Sequence, residues 1–486
     1  MTTPTGTTPT GDAAQRATRL REKLESIGQE HLLAFADDLP PERLAALCDR
    51  IESLRLDELP SLVERYVQHA AHAQIPGDLE PASYYPADAS TWDRDRVAAS
   101  GEALLRAGKV ACFTVAGGQG TRLGFDGPKG CLPTGAVTGK PLFQIFAEQV
   151  LATGRRYGVT PRWSIMTSPL NHDATVAFFR DNDHFGLDPD GVSFFQQGVM
   201  PAFDERTGRV LLAEKDQPAT SPDGHGGAVR ALHESGELAR LAELGVEHLS
   251  YTQVDNPHAK MADPVFIGLH ATAPDSSAEM SSKMLPKADP DEKVGVFCRA
   301  GGKARVIEYS DLPAELAQQK GDNGELRFIA GSIAIHMIGV NFLRRVATEP
   351  ELELPFHRAH KKVPHIDTES GARTDPDTPN AIKLERFVFD AIPLAESSIV
   401  VETDRVEEFA PVKNKTGVDS IDTSRALQTE RAARWLERAG VAVPRRDDGT
   451  PDCALEISPL TALDAGQLRE HPDLPASIEP GASLAI

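Results

Sequence analysis

The residues with the clearest chemical potential lie between Val115 and Lys129. The run Val115-Ala-Gly-Gly-Gln-Gly-Thr-Arg-Leu-Gly124 sets Gly117, Gly118 and Gly120 directly after an apolar stretch, and Pro128-Lys129 follows. Glycines in that place let the backbone approach a ligand closely and aim N–H groups at phosphate oxygens. A tight strand-to-helix turn uses the same residues, so the loop alone leaves both readings open. It is not a Walker loop, because no Gly-Lys-Ser/Thr follows the required four-residue gap. A dinucleotide fingerprint fits poorly, since Leu123 stands where the third glycine belongs. Lys129 can neutralise a phosphate chain, although a solvated surface lysine would sit there equally well. Asp255 follows the run Leu249–Val254, which puts it at the carboxyl end of a strand. One carboxylate there, completed by phosphate oxygens and waters, suits Mg²⁺; an aspartate capping the next turn has the same signature.

The surrounding pattern supplies elements to hold these groups. Val110–Val115, Trp163–Thr167, Val192–Phe195, His248–Val254 and Val294–Cys298 read as short strands. Phe143–Thr153, Asp173–Asn182 and Gly227–Leu244 read as amphipathic helices between them. Strands alternating with helices predict an α/β domain with a mostly parallel sheet covered on both faces. Ligands of such sheets bind at the carboxyl ends of the strands. Ahead of this domain, apolar residues recur at three- and four-residue steps from Leu20 to Leu54, with Pro40-Pro41 between helices. The expected division is a disordered tail over 1–12, a helical section over 13–96, the catalytic domain over 97–398 and a smaller C-terminal domain over 399–486.

Composition excludes several function classes. The 486 residues carry 51 Lys plus Arg against 72 Asp plus Glu, a formal charge of −21. That balance opposes binding to nucleic-acid backbones or to an anionic membrane surface. No apolar run reaches the roughly 18 residues of a membrane helix. The five cysteines are scattered and never form C-x-x-C, which fits a reducing compartment and predicts a cytoplasmic protein. Oligomeric state is left open.

The glycine loop with its near Pro-Lys resembles the sugar nucleotidyltransferases, and the short gap resembles the eukaryotic-type UDP-sugar pyrophosphorylases. The N-acetylhexosamine branch of that family matches in order along most of the chain. The matching stretches include Phe194-Phe-Gln-Gln-Gly198, Pro222-Asp-Gly-His-Gly-Gly227, Val254-Asp-Asn256, Ile382-Lys-Leu-Glu-Arg-Phe387 and Val412-Lys-Asn414. The resemblance implies a Rossmann-like nucleotidyltransferase domain and transfer of UMP from UTP to a sugar 1-phosphate, with Mg²⁺ as cofactor. The sugar phosphate is already ionised at neutral pH, so such a reaction needs positioning and charge neutralisation, not a Ser, Cys or His nucleophile.

Residue by residue, the resemblance assigns Ala116, Gly117, Gly118, Gln119 and Gly120 to the nucleotide. Gln196 or Gln197 and Gly224 fall to the uridine, with Lys383 reaching the phosphate region. Arg122, Lys129 and Lys413 are expected to meet the triphosphate, and Asp255 to hold the metal. Gly295 and Glu308 match positions that contact sugar hydroxyls. Two sugar positions depart from the N-acetylglucosamine pattern, with His225 and Ser332 standing where asparagines are usual. The expected product is UDP-N-acetylglucosamine; the alternative is the same chemistry on glucose 1-phosphate or on several sugars. A nucleotide-sugar binding protein without catalysis would not need the leaving-group cations.

Overall fold

The computed structural model describes residues 9–69, 76–322 and 324–486. The chain folds into two compact units, each assembled from separate stretches of sequence. One consists of Met1–Gln74, Gly198–Gly227 and Pro355–Phe387; the other of Ile75–Gln197, Ala228–Leu354 and Val388–Ile486.

In the first unit, the tail expected over residues 1–12 lies outside the described residues as far as position 8. A helix, Pro9–Ser26, takes its last four positions. Helix Pro41–Glu52 starts on a proline, whose missing N–H costs nothing at a first helical turn. It buries Leu47, Cys48 and Ile51 at helical spacing. A helical layer this small cannot bury enough surface on its own. Here it shares a core with Phe203, Val210, Ile382 and Leu384. Those residues come from an antiparallel sheet ordered His357–Lys361, Ala381–Glu385, Phe203–Asp204, and from the loop after it. Buried Gln29 fastens the two parts. Its amide donates to the Gly208 carbonyl at 3.1 Å and accepts from the Val210 N–H at 2.8 Å.

The second unit holds the large sheet. Strands β1 (Val110–Val115), β2 (Trp163–Thr167), β3 (Val192–Gln196) and β4 (His248–Gln253) run parallel in the order β4-β1-β2-β3. Strand β5 (Ala330–Gly339) adds antiparallel to β4, pairing His248 with Gly339 and Tyr251 with His336. Phe143, Phe146, Trp163 and Phe179 pack beneath the parallel strands with no exposed surface. The Trp163 indole N–H, buried there, finds the Thr114 hydroxyl at 2.9 Å. A strand Val400–Glu402 pairs in parallel with Ser282–Met284 of the same sheet. Beyond it, helix Ile421–Arg438 begins at a capping box of Ser420 and Thr423 and packs a separate cluster around Trp435, Leu436 and Leu455.

Two expected elements differ. The helix expected over Gly227–Leu244 is two helices, Gly227–Glu234 and Glu237–Glu243, because Gly236 turns the chain at φ 79°. The strand expected over Val294–Cys298 runs Val296–Ala300, which leaves Gly295 in the approach to the strand. Among the described residues no helix is long and apolar enough to cross a membrane.

Candidate active site

The glycine loop leaves the carboxyl end of β1 and is held open from below. The Ala116 N–H continues the parallel ladder to the Met166 carbonyl at 2.7 Å. After it, the N–H groups of Gly117, Gly118 and Gln119 donate to no other group among the described residues. Their carbonyl side is anchored instead. The buried Asn171 amide donates to the Ala116 and Gly118 carbonyls at 2.9 and 3.1 Å, and its oxygen accepts from the Ser168 N–H. A loop fastened by its carbonyls with its N–H groups free is built to receive an anion.

Neighbouring contacts account for two of the glycines. A Cβ on Gly117 would stand 2.6 Å from the Gln197 amide nitrogen, so the glycine lets that side chain lie against the loop. Gln197 is buried, whereas Gln196 is exposed. Of the two amides proposed for the uridine, Gln197 is the one against the loop. Gly120 is closed over by Phe125, whose ring would be 2.7 Å from an added Cβ. The Gln119 amide donates to the Leu170 carbonyl at 3.1 Å. Arg122 is exposed on the turn Thr121–Leu123.

Lys129 returns to the same place. Its N–H donates to the Gly118 carbonyl at 3.1 Å, and its Nζ lies 3.3 Å from Asp255 Oδ2. Asp255 stands just past the end of β4, as its sequence context predicts. Burial pushes its carboxyl pKa up, but Lys129 and then Lys413 outweigh that and hold it below the ordinary aspartate value. The Asp255 carbonyl accepts from the Val412 N–H at 2.9 Å, and the Asn256 side chain bridges the Glu408 carbonyl and the Ala410 N–H. These bonds bring the segment carrying Lys413 to the Asp255 loop. Asp255, Lys413 and Ser332 line one cavity of about 50 Å³. No group of three or more His, Cys, Asp or Glu side chains able to hold a metal occurs among the described residues. Asp255 supplies the one carboxylate that lines this cavity.

The expected sugar contacts of this unit also meet. The Ser332 N–H donates to the Gly295 carbonyl at 2.7 Å. An added Cβ on Gly295 would lie 3.4 Å from Glu308 Oε1. Gly295, Glu308 and Ser332 thus form one patch, continuous through Ser332 with the cavity of Asp255 and Lys413.

Gly224, His225 and Lys383 belong to the other unit. Gly224, at φ 84°, presses its backbone on Arg386; an added Cβ would be 2.4 Å from the Arg386 carbonyl oxygen. The Gly226 N–H donates to that carbonyl at 2.8 Å, and the Arg386 N–H donates to the Asp223 carbonyl. The His225 ring stacks on Phe387 at 5.2 Å and 19°, and His357 covers Phe387 at 4.4 Å. Lys383 sits in strand Ala381–Glu385, half-buried, with its pKa lowered by burial. Sequence reasoning missed Asn171 and Phe387. Asn171 carries no spacing signal. Phe387 stands inside a stretch whose lysine drew the attention.

A family model described as UTP–glucose-1-phosphate uridylyltransferase matches residues 57–431. The chain is 36% identical over 485 residues to UDP-N-acetylhexosamine pyrophosphorylase-like protein 1 of Xenopus tropicalis, covering 93% of each chain. It is 38% identical over 373 residues to the UDP-N-acetylglucosamine pyrophosphorylase of Saccharomyces cerevisiae, covering 75% of this chain and 77% of that one. Among solved structures, the uridine diphosphate N-acetylglucosamine pyrophosphorylase from Trypanosoma brucei matches with a TM-score of 0.80 at 27% identity. That match covers 98% of this chain and 99% of the other. With the loop, the strand-end aspartate and the family pattern all in place, this chain belongs to the UTP–glucose-1-phosphate uridylyltransferase family of UDP-sugar pyrophosphorylases.

Proposed function

We propose that this enzyme forms UDP-N-acetylglucosamine and pyrophosphate from UTP and N-acetylglucosamine 1-phosphate. The observation that carries this reading is the shared cavity: Asp255, Lys413 and Ser332 line it, and Lys129 of the glycine loop is paired to Asp255. In the reaction a phosphate oxygen of the sugar 1-phosphate bonds to the α-phosphorus of UTP. The bond from that phosphorus to the bridging oxygen breaks, and its electron pair leaves with pyrophosphate. The free N–H groups of Gly117, Gly118 and Gln119 receive phosphate oxygens without reorganising, which is where preorganised donors act most strongly. Arg122, Lys129 and Lys413 offset the charge of the leaving group and let two anions approach one another. Gln197 offers the uracil edge both a donor and an acceptor. Lys383 supplies a further cation for the nucleotide phosphates. Mg²⁺ bound through Asp255 would neutralise phosphate charge and fix the geometry of the transfer. All five cysteines are free, in keeping with a cytoplasmic setting.

A second reading is favoured by two particular side chains. His225 is held flat on Phe387, so it presents a ring edge where an amide would offer a donor and an acceptor. Ser332 reaches less far than asparagine, leaving room for a bridging water. Together they support turnover of glucose 1-phosphate alongside the N-acetylated sugar. The test is kcat/KM for the two sugar phosphates in the parent enzyme and in His225→Asn/Ser332→Asn. The double variant is expected to shift the ratio toward the N-acetylated sugar, because a site built to bond a group rejects analogues lacking it. An unchanged ratio removes these positions from sugar choice, and a parent that uses glucose 1-phosphate alone replaces the first reading with the second.

A further inference from the structure

Lys415 stands just beyond the Val412-Lys-Asn414 stretch that singled out Lys413, and it lies against the glycine loop. If Gly124 carried a Cβ, the Lys415 Cε, Nζ and Cδ atoms would stand 3.5, 3.6 and 3.9 Å from it. The lysine stem is therefore laid across Gly124, the residue that ends the turn bearing Arg122. The segment that delivers it is tightly closed. The N–H groups of Lys413 and Asn414 both donate to the Asp419 carbonyl, at 2.6 and 2.9 Å, and the Asn414 amide donates to the Val418 carbonyl at 2.8 Å. Gly417 and Asp419 adopt positive φ angles of 78° and 56° to complete the turn. Holding Asp419 there is unfavourable for a residue with a side chain, and the three hydrogen bonds offset it.

Charge makes the placement meaningful. The chain has an excess of acidic residues, and most of its buried or half-buried cations are paired, as Lys283 is with Asp263 and Glu408. Arg122, Lys413 and Lys415 form no ion pair among the described residues, and Lys129 has Asp255 alone. Burial raises the Asp419 carboxyl pKa, and the nearby Lys413 opposes that rise. Arg122, Lys129, Lys413 and Lys415 thus gather at the loop and its neighbouring segment with a single ion pair among them, Lys129 with Asp255, and like charges so placed favour an incoming anion. The loop N–H groups lie toward Gly117, while Arg122 and Lys415 lie at the opposite end, near Gly124. A phosphate chain that runs along the loop from those N–H groups toward Gly124 would meet Lys415.

We propose that Lys415 is a further catalytic residue that contacts the departing pyrophosphate. This rests on the uridylyltransferase reading for its role in turnover, but its affinity for pyrophosphate can be read separately. In the reverse direction, Lys415→Ala should raise KM for pyrophosphate about tenfold, the size of one lost charge-assisted contact. KM for the UDP-sugar and the melting temperature should not move, and Lys415→Arg should restore most of the affinity. A loss of structure would instead shift both KM values. Calorimetric titration of parent and Lys415→Ala with magnesium pyrophosphate gives the second arm. If the parent turns over no UTP yet binds pyrophosphate more tightly than the variant, the activity reading fails and the Lys415 contact stands. Equal pyrophosphate affinity in parent and variant, or none in the parent, overturns the Lys415 assignment.

Discussion

Lys129 and Asp255 meet at 3.3 Å although 126 residues separate them, one on the glycine loop after β1 and the other past the end of β4. Parallel pairing of β1 with β4, in register from Val110 opposite His248 to Val115 opposite Gln253, sets both strand ends at the same level. The lysine keeps the aspartate ionised, and the aspartate holds the lysine within reach of the loop.

Lys129→Ala should therefore lower kcat by about 10²–10³, the usual loss when one preorganised charge contact is removed. Thermal stability should fall far less than the rate, because Lys413 still offsets the charge of Asp255 when Lys129 is removed. A variant that melts like the parent and turns over like the parent would show Lys129 to be a surface lysine.

Asp255→Asn should abolish the response of the rate to added Mg²⁺ and leave activity near that of parent enzyme in excess chelator. The amide cannot serve as the anionic ligand that a hard cation prefers. A parent enzyme with full activity in excess EDTA would remove Asp255 from metal binding.

Acid should destabilise this protein through histidines distant from the loop. His270 is fully buried, its Nδ1 at 2.8 Å from the Ser281 hydroxyl and its Nε2 at 3.2 Å from His248. Burial, with His248 adding to it, pushes the His270 pKa down to about 3, and burial lowers that of His248 too. Each neutral form is favoured by folding, so protons bind the unfolded chain more readily. Stability is complete above the ordinary histidine value of 6.5 and is lost as pH falls from there toward about 3. The slope is up to about 1.4 kcal/mol per pH unit for each group. Urea unfolding of parent and His270→Gln across that window checks this. The variant should show the shallower decline, and parallel curves would exclude His270 as a source.

What could be read from the sequence follows physical range. β1, the strand feeding the glycine loop, is bounded as its β-branched run predicts, and β2 likewise, since local propensity and burial agree there. Lys129 and Asp255 were legible because a loop and a strand end have local signatures. Asn171 was not. Its role depends on β2 lying beside β1, so that an amide five residues beyond Met166 reaches the Ala116 carbonyl. The junction of Gly295, Glu308 and Ser332 is equally a product of strand pairing, which spacing along the chain does not encode. The break at Gly236 was visible as a glycine but gave no sign that it would adopt a positive φ in place of continuing the helix.

Purified enzyme with UTP, N-acetylglucosamine 1-phosphate and Mg²⁺, followed by phosphorus NMR, should form UDP-N-acetylglucosamine and pyrophosphate in equal amounts. ATP in place of UTP should give far slower turnover if Gln197, which lies against the loop, reads the uracil edge as proposed. Absence of both products with any sugar 1-phosphate, or equal turnover of ATP and UTP, would contradict the account.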